Sequence, residues 1–152
     1  MAGILIDAPR VINARTHSVI DYIHAATNFA AGVVFRKRDN VRASNAAFAL
    51  GAGVLANALC TDYPLGVFRV YSFKTHGILD YGVAAASAIM PELLRIQDTP
   101  EAGYFRGQGG GETVIAAICD YDDNTGAKRI RHRVPDRARL ARRARARLRA
   151  IA

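Results

Sequence analysis

The chain has 152 residues, is 51% hydrophobic without a single tryptophan, and carries a formal net charge of +8. This length holds one ordinary domain or a small helical bundle, and two cysteines in no CxxC pair exclude a disulfide framework or a zinc-finger motif. Residues 128–152 hold 11 of the 21 Lys and Arg beside one acid, Asp136, so the tail carries +10 and the body before it, with ten basic and twelve acidic residues, carries −2. Electrostatic attraction for a partner therefore belongs to the tail.

In chain order, the opening "MAGILID" has neither the basic flank nor the apolar length of a cleavable signal, and a secreted fate is not expected. Four apolar stretches follow, at 17–35, 45–60, 76–94 and 109–119. Polar or basic joints separate them: "RKRDNVR" at 36–42, "TDYPLG" at 61–66 and "RIQDTPEAGYFRGQ" at 95–108. Alternation with period two is missing, so each stretch predicts a helix, and Gly and Pro mark the breaks.

The phrase "RTHSVIDY" at 15–22 returns as "KTHGILDY" at 74–81. A shift of 59 residues lays Arg10, Val11, Thr16, His17, Asp21, Tyr22, Ala25 and Ala26 on Arg69, Val70, Thr75, His76, Asp80, Tyr81, Ala84 and Ala85. In the same register Arg36, Asp39, Gly51 and Cys60 meet Arg95, Asp98, Gly110 and Cys119. Residues 1–127 thus read as a duplicated helix-hairpin domain with repeats at 10–62 and 69–121, followed by the Arg-rich tail 128–152.

No Lys or Glu falls between Ser18 and Phe35, or between Asn45 and Thr61. A helix with almost no charged outer face suits lipid better than water, and the longer stretches approach the length that crosses a ~30 Å hydrocarbon layer. Ala47, Gly51, Gly53, Ala84 and Ser87 allow close helix approach. The expected fold is an all-α integral membrane four-helix bundle of two duplicated helix hairpins, plus a basic amphipathic C-terminal helix. The alternative is a soluble helical bundle with a nucleic-acid-binding tail.

The run "ALGAGVLANALCTDYPLGVFRVYSFKTHGILDY" at 49–81, with "THSVIDY" upstream, resembles the Ser-Pro-Trp (SPW) repeat family of small bacterial integral membrane proteins. The similarity covers roughly residues 10–94; the eponymous tripeptide is absent, and the corresponding "AASAIMPELL" keeps only Pro91. The resemblance implies helix-pair repeats in the bacterial inner membrane and brings no established chemistry.

On a helix His17, Asp21, His24 and Asn28 share one face, and the second copy places His76, Asp80, Val83 and Ser87 there. Inside a bilayer such groups point into the bundle, and a pseudo-twofold packing of the copies brings His17/Asp21 against His76/Asp80. The simplest role is structural, each Asp accepting from its own His one turn earlier. The alternatives are a divalent metal held by His17, Asp21, His76 and Asp80, with haem between the two histidines as an offshoot, and a proton or ion relay along His17, Asp21 and His24. No cofactor is the first expectation, with a divalent metal as the second.

Cys60 and Cys119 read as small apolar fillers, "CDYDDNTG" at 119–126 as a solvated turn, and "GQGGGE" at 107–112 as no nucleotide loop. No catalytic constellation assembles, so an enzyme is not expected. In the tail, Arg137, Arg139, Arg142, Arg143, Arg145, Arg147 and Arg149 surround an apolar edge of Leu140, Ala144, Leu148 and Ile151. Such a helix meets anionic lipid or an acidic partner subunit, and nucleic acid is the less expected target. The tail places the C-terminus in the cytoplasm, and four spans then put the basic joint 36–42 outside, against the positive-inside rule. The expected role is that of an accessory subunit of a larger membrane complex.

Overall fold

The computed structural model describes residues 9–123. Four helices form: α1 Ala14–Lys37, α2 Val41–Cys60, α3 Phe73–Leu93 and α4 Glu101–Ala117. The arginine-rich tail, with Arg137 to Arg149, lies outside the described residues. The first helix of each repeat starts under the same kind of control. Asn13 Oδ1 accepts from Thr16 N–H at 2.9 Å and Ser72 Oγ from Thr75 N–H at 3.2 Å, each oxygen satisfying a first-turn donor that has no partner within the helix. Asn13 and Ser72 are 59 residues apart, so the repeat extends to the caps.

Short parallel pairings close the two hairpins into a ring. Residues Thr61–Asp62 (β1), after α2, pair with Tyr71–Ser72 (β2), before α3. Ile12, before α1, pairs in parallel with Cys119, after α4. The starts of α1 and α3 and the ends of α2 and α4 therefore meet at one end of the bundle, and the hairpin turns lie at the other. An apolar cluster closes each end: Ala14, Ala58, Tyr63, Phe73 and Cys119 at the ring, and Phe35, Ala47, Leu50, Ile96 and Phe105 toward the turns.

Two sequence expectations need correction. The joint 95–108 is not a joint throughout, because α4 starts at Glu101, eight residues before the apolar stretch at 109. Pro100 and the acidic Glu101 suit a helix start, where a missing N–H costs nothing and a negative charge meets the positive end of the dipole. The register of the repeat also slips by one residue in its second half. Gly51 packs on the Ala25 carbonyl oxygen and Gly109, not Gly110, on that of Ala84. Thr61 and Cys119 make the equivalent strand pairings, with Tyr71 and Ile12 as their partners. The offset is 59 between α1 and α3 but 58 between α2 and α4, so Cys60 and Cys119 are not structural equivalents.

Polarity is inverted relative to an ordinary soluble bundle. His17, Asp21, His24, Asn28, His76, Asp80, Ser87 and Glu112 are buried, whereas Ile23 on α1, Ile78 and Leu93 on α3 and Val114 on α4 are each at least 60% exposed. Among the described residues one helix, Val41–Cys60, is long and apolar enough to cross a membrane. The polar side chains that α1 and α3 turn inward lower their hydropathy.

The two glycines test the register. A methyl at Gly109 would sit 2.7 Å from the Ala84 carbonyl oxygen and 2.9 Å from Ala88 N, while one at Gly110 meets nothing within 4 Å. Gly109→Ala should cost about 1–3 kcal/mol by forcing α3 and α4 apart, and Gly110→Ala should gain up to about 1 kcal/mol from helix propensity. Thermal melting of the two variants checks this.

Candidate metal centre

His17 and His76 are each the fourth residue of their helices, and one turn later come Asp21 and Asp80. The ring pairings bring the starts of α1 and α3 together, so the four side chains converge. His17 Nε2 lies 3.1 Å from His76 Nε2. Each carboxylate spans both rings: Asp21 places Oδ1 3.3 Å from His17 Nε2 and Oδ2 3.3 Å from His76 Nε2. Asp80 places Oδ2 3.2 Å and Oδ1 3.1 Å from the same two atoms. The i,i+4 couples expected from the sequence are present, and each is matched by an equally short contact across the hairpins.

Hydrogen bonds around the quartet orient His76 and both carboxylates. Thr61 Oγ1 is 2.7 Å from His76 Nδ1, and its single proton goes to the Asn57 carbonyl at 2.6 Å. The hydroxyl must therefore accept from His76 Nδ1–H. In the neutral ring this leaves a lone pair on Nε2, aimed at two carboxylates and a second imidazole nitrogen. The carboxylates are held as acceptors: Tyr63 donates to Asp21 Oδ2 at 2.7 Å, Tyr121 to Asp80 Oδ2 at 2.7 Å, and Asn57 Nδ2 to Asp80 Oδ1 at 3.3 Å. Burial, then the adjoining carboxylates, raises the pKa of both tyrosine hydroxyls, so they remain donors.

Such a cluster of electron pairs is stable only around a positive charge, either a proton or a metal ion. The spacings suit a metal. Ligands at about 2.0–2.1 Å from a tetrahedral zinc lie roughly 3.3 Å from one another. His17, Asp21 and His76 offer ligand atoms within 4.8 Å of one another, and Asp80 adjoins both rings as a fourth donor. Thr61 on His76 Nδ1 is the outer-shell acceptor that metal-bound histidines commonly use. The edges of Phe73 and Tyr121 flank His17, and Tyr63 and Phe73 flank His76, which excludes water from the centre.

The two halves differ in their outer shells. Among the described residues His17 Nδ1 is buried without a partner. Cys119 stands where the other half has Thr61, and burial, then the Asp80 and Asp21 carboxylates, pushes its thiol up to about 12, so it stays protonated. Both cysteines are free thiols.

Beyond the quartet the column continues. His24 Nδ1 is 3.1 Å from Glu112 Oε2, and Tyr104 donates to Asn28 Oδ1 at 3.0 Å and accepts from Gln108 Nε2 at 2.8 Å. Glu112, Tyr63, Tyr121 and Thr61 escape sequence reasoning. The available signal for Glu112 is its isolation, as the only charged residue between Arg106 and Asp120. The acidic turn after α4 is more than a solvated loop. Asp123 Oδ2 accepts from Ala14 N–H at 3.0 Å, and Asp122 pairs with Arg10 at 2.8 Å and Lys74 at 3.1 Å.

Thr61→Val should leave His76 Nδ1–H buried without an acceptor and cost about 1–3 kcal/mol, whereas Thr61→Ser should keep most of the stability. Equal melting temperatures for the two variants would contradict the tautomer assigned to His76.

No protein-family model, no curated protein and no solved structure matches the chain.

Proposed function

We propose that the chain is an integral protein of the bacterial inner membrane whose two hairpins hold one divalent metal ion between His17, Asp21, His76 and Asp80. The observation that carries the metal is the His76 ring: Thr61 occupies its Nδ1 proton, and its Nε2 faces two carboxylates and His17 Nε2 within 3.3 Å. Polar residues inside and apolar ones outside support the membrane, as does the resemblance of residues 49–81 to the SPW repeats. Helices of 24, 20, 21 and 17 residues reach about 36, 30, 32 and 26 Å at 1.5 Å per residue, against a hydrocarbon core of ~30 Å.

Orientation follows from charge. Asp123, the last described residue, binds the start of α1 at the ring end, and the arginines that follow it in sequence favour a cytoplasmic position for that end. The basic joint 36–42 lies at the opposite end, and part of its charge is engaged. Arg38 pairs with Glu101 at 3.8 Å, Arg36 donates to Asn45 at 2.7 Å and Arg42 to the Leu94 carbonyl at 3.4 Å.

A role as accessory subunit of a larger membrane complex is favoured by one surface feature. Val67, Phe68 and Val70, on the loop between the hairpins, are exposed together with Val11. They form an apolar rim at the ring end that fits the acyl-chain boundary of the bilayer or a neighbouring subunit. In such an assembly the metal acts as a clamp between the hairpins.

Carbonate extraction should leave the chain in the membrane fraction; quantitative release would overturn the membrane assignment in favour of the soluble bundle. Protein purified in mild detergent, stripped with chelator and reloaded with zinc should hold about one ion per chain. His76→Gln and Asp80→Asn should each lower that occupancy at least tenfold. A folded wild-type chain that takes up no metal would contradict the metal centre.

A further inference from the structure

The loops that leave α2 and α4 repeat each other contact by contact. Thr61 N–H bonds the Ala58 carbonyl and Cys119 N–H that of Ala116, while Val70 N–H bonds the Cys60 carbonyl and Val11 N–H that of Ile118. Tyr63 then reaches Asp21 and Tyr121 reaches Asp80, each at 2.7 Å. With backbone and tyrosine matched in this way, residue 119 holds toward His17 the place that Thr61 holds toward His76.

The two places are filled differently. Thr61 Oγ1 lies 2.7 Å from His76 Nδ1 and donates its own proton to the Asn57 carbonyl four residues back. Cys119 is buried and offers a thiol, a weak acceptor. Among the described residues His17 Nδ1, on a side chain 1% exposed, has no partner. The difference falls on metal binding in particular. A metal on Nε2 fixes the ring proton on Nδ1, where it needs an acceptor. Without metal His17 can carry that proton on Nε2, where Asp21 and Asp80 stand 3.3 and 3.2 Å away, and leave only a lone pair at Nδ1. A bound metal therefore leaves an N–H of His17 buried without an acceptor, and spares His76 that cost.

Resting on the metal assignment above, we propose that Cys119 is a positioning residue that holds down the affinity of the centre, because it withholds from His17 the hydrogen bond that Thr61 gives His76. The His17 arm is the weaker of the two, and the divalent ion stays exchangeable. A hydroxyl at position 119 reverses this. Its proton goes to the carbonyl of Ile115, the counterpart of Asn57, and its oxygen accepts from His17 Nδ1–H. Cysteine and serine differ little in size, so the exchange adds an acceptor without opening the apolar cluster at the ring.

Competition for zinc between the full chain in detergent and a chelator of known affinity reads the dissociation constant. Cys119→Thr should lower it about tenfold and Thr61→Cys should raise it at least tenfold, the effect expected of an outer-shell partner. The exchanged double variant Thr61→Cys/Cys119→Thr should return it to within a few fold of wild type. Melting in excess chelator separates this from packing, since a packing role shifts the metal-free melting temperature and leaves zinc affinity in place. Should Cys119→Thr fail to fold, the smaller Cys119→Ser carries the test. Unchanged zinc affinity in a folded variant at position 119 would overturn the role of Cys119 and leave the metal centre standing, as would a double variant no tighter than Thr61→Cys alone. Failure of the wild type to bind zinc would overturn both.

Discussion

Two carboxylates and two imidazole nitrogens, sealed from water between two helix hairpins, cannot remain together without a positive charge among them. The architecture serves that constraint. The ring of strand pairings brings the starts of α1 and α3 side by side. The loops that leave α2 and α4 deliver Tyr63 and Tyr121 as donors to the carboxylates. Phe73 and the two tyrosines then cap the quartet, and an apolar cluster at the far end stops the polar column.

Duplication supplied the symmetry, and divergence has used it. On the His76 side Thr61, Asn57 and Tyr71 form a hydrogen-bonded shell. Their equivalents on the His17 side are Cys119, Ile115 and Ile12, which offer little or nothing to an imidazole or a carboxylate. Thr61 fixes the tautomer of the neutral His76 ring, whereas His17 Nδ1 has no partner among the described residues. One level deeper the bias reverses, with His24 and Glu112 in one half against Val83 and Val54 in the other. The two repeats thus share a centre while contributing unequal surroundings to it.

The helices and the buried stripe of His17, Asp21, His24 and Asn28 were legible because each rests on spacing along a single helix, and the repeat because two phrases match at a fixed offset of 59 residues. Contacts that depend on how two elements pass each other leave no such signal in the sequence. Gly110 matched Gly51 in the linear register, but the one-residue slip puts Gly109 against α3. Cys60 matched Cys119, but Thr61 is the structural counterpart. The beginning of α4 was hidden because "PEAGYFRGQ" has the composition of a joint, and Gly107 to Gly111 weaken its helical signal. Tyr63 and Tyr121 sit in loops, where no periodicity announces an inward-facing side chain.

A quartet that surrounds a metal ion differs from one that merely shares protons in the atoms around the ion. X-ray absorption at the zinc edge of the reloaded, detergent-purified protein reads the ligands directly. A zinc ion at the quartet gives a shell of nitrogen and oxygen at about 2.0–2.1 Å with the outer scattering of two imidazole rings and no sulfur. A sulfur shell at about 2.3 Å, or an all-oxygen shell without imidazole scattering, would place any bound zinc elsewhere and contradict the metal centre.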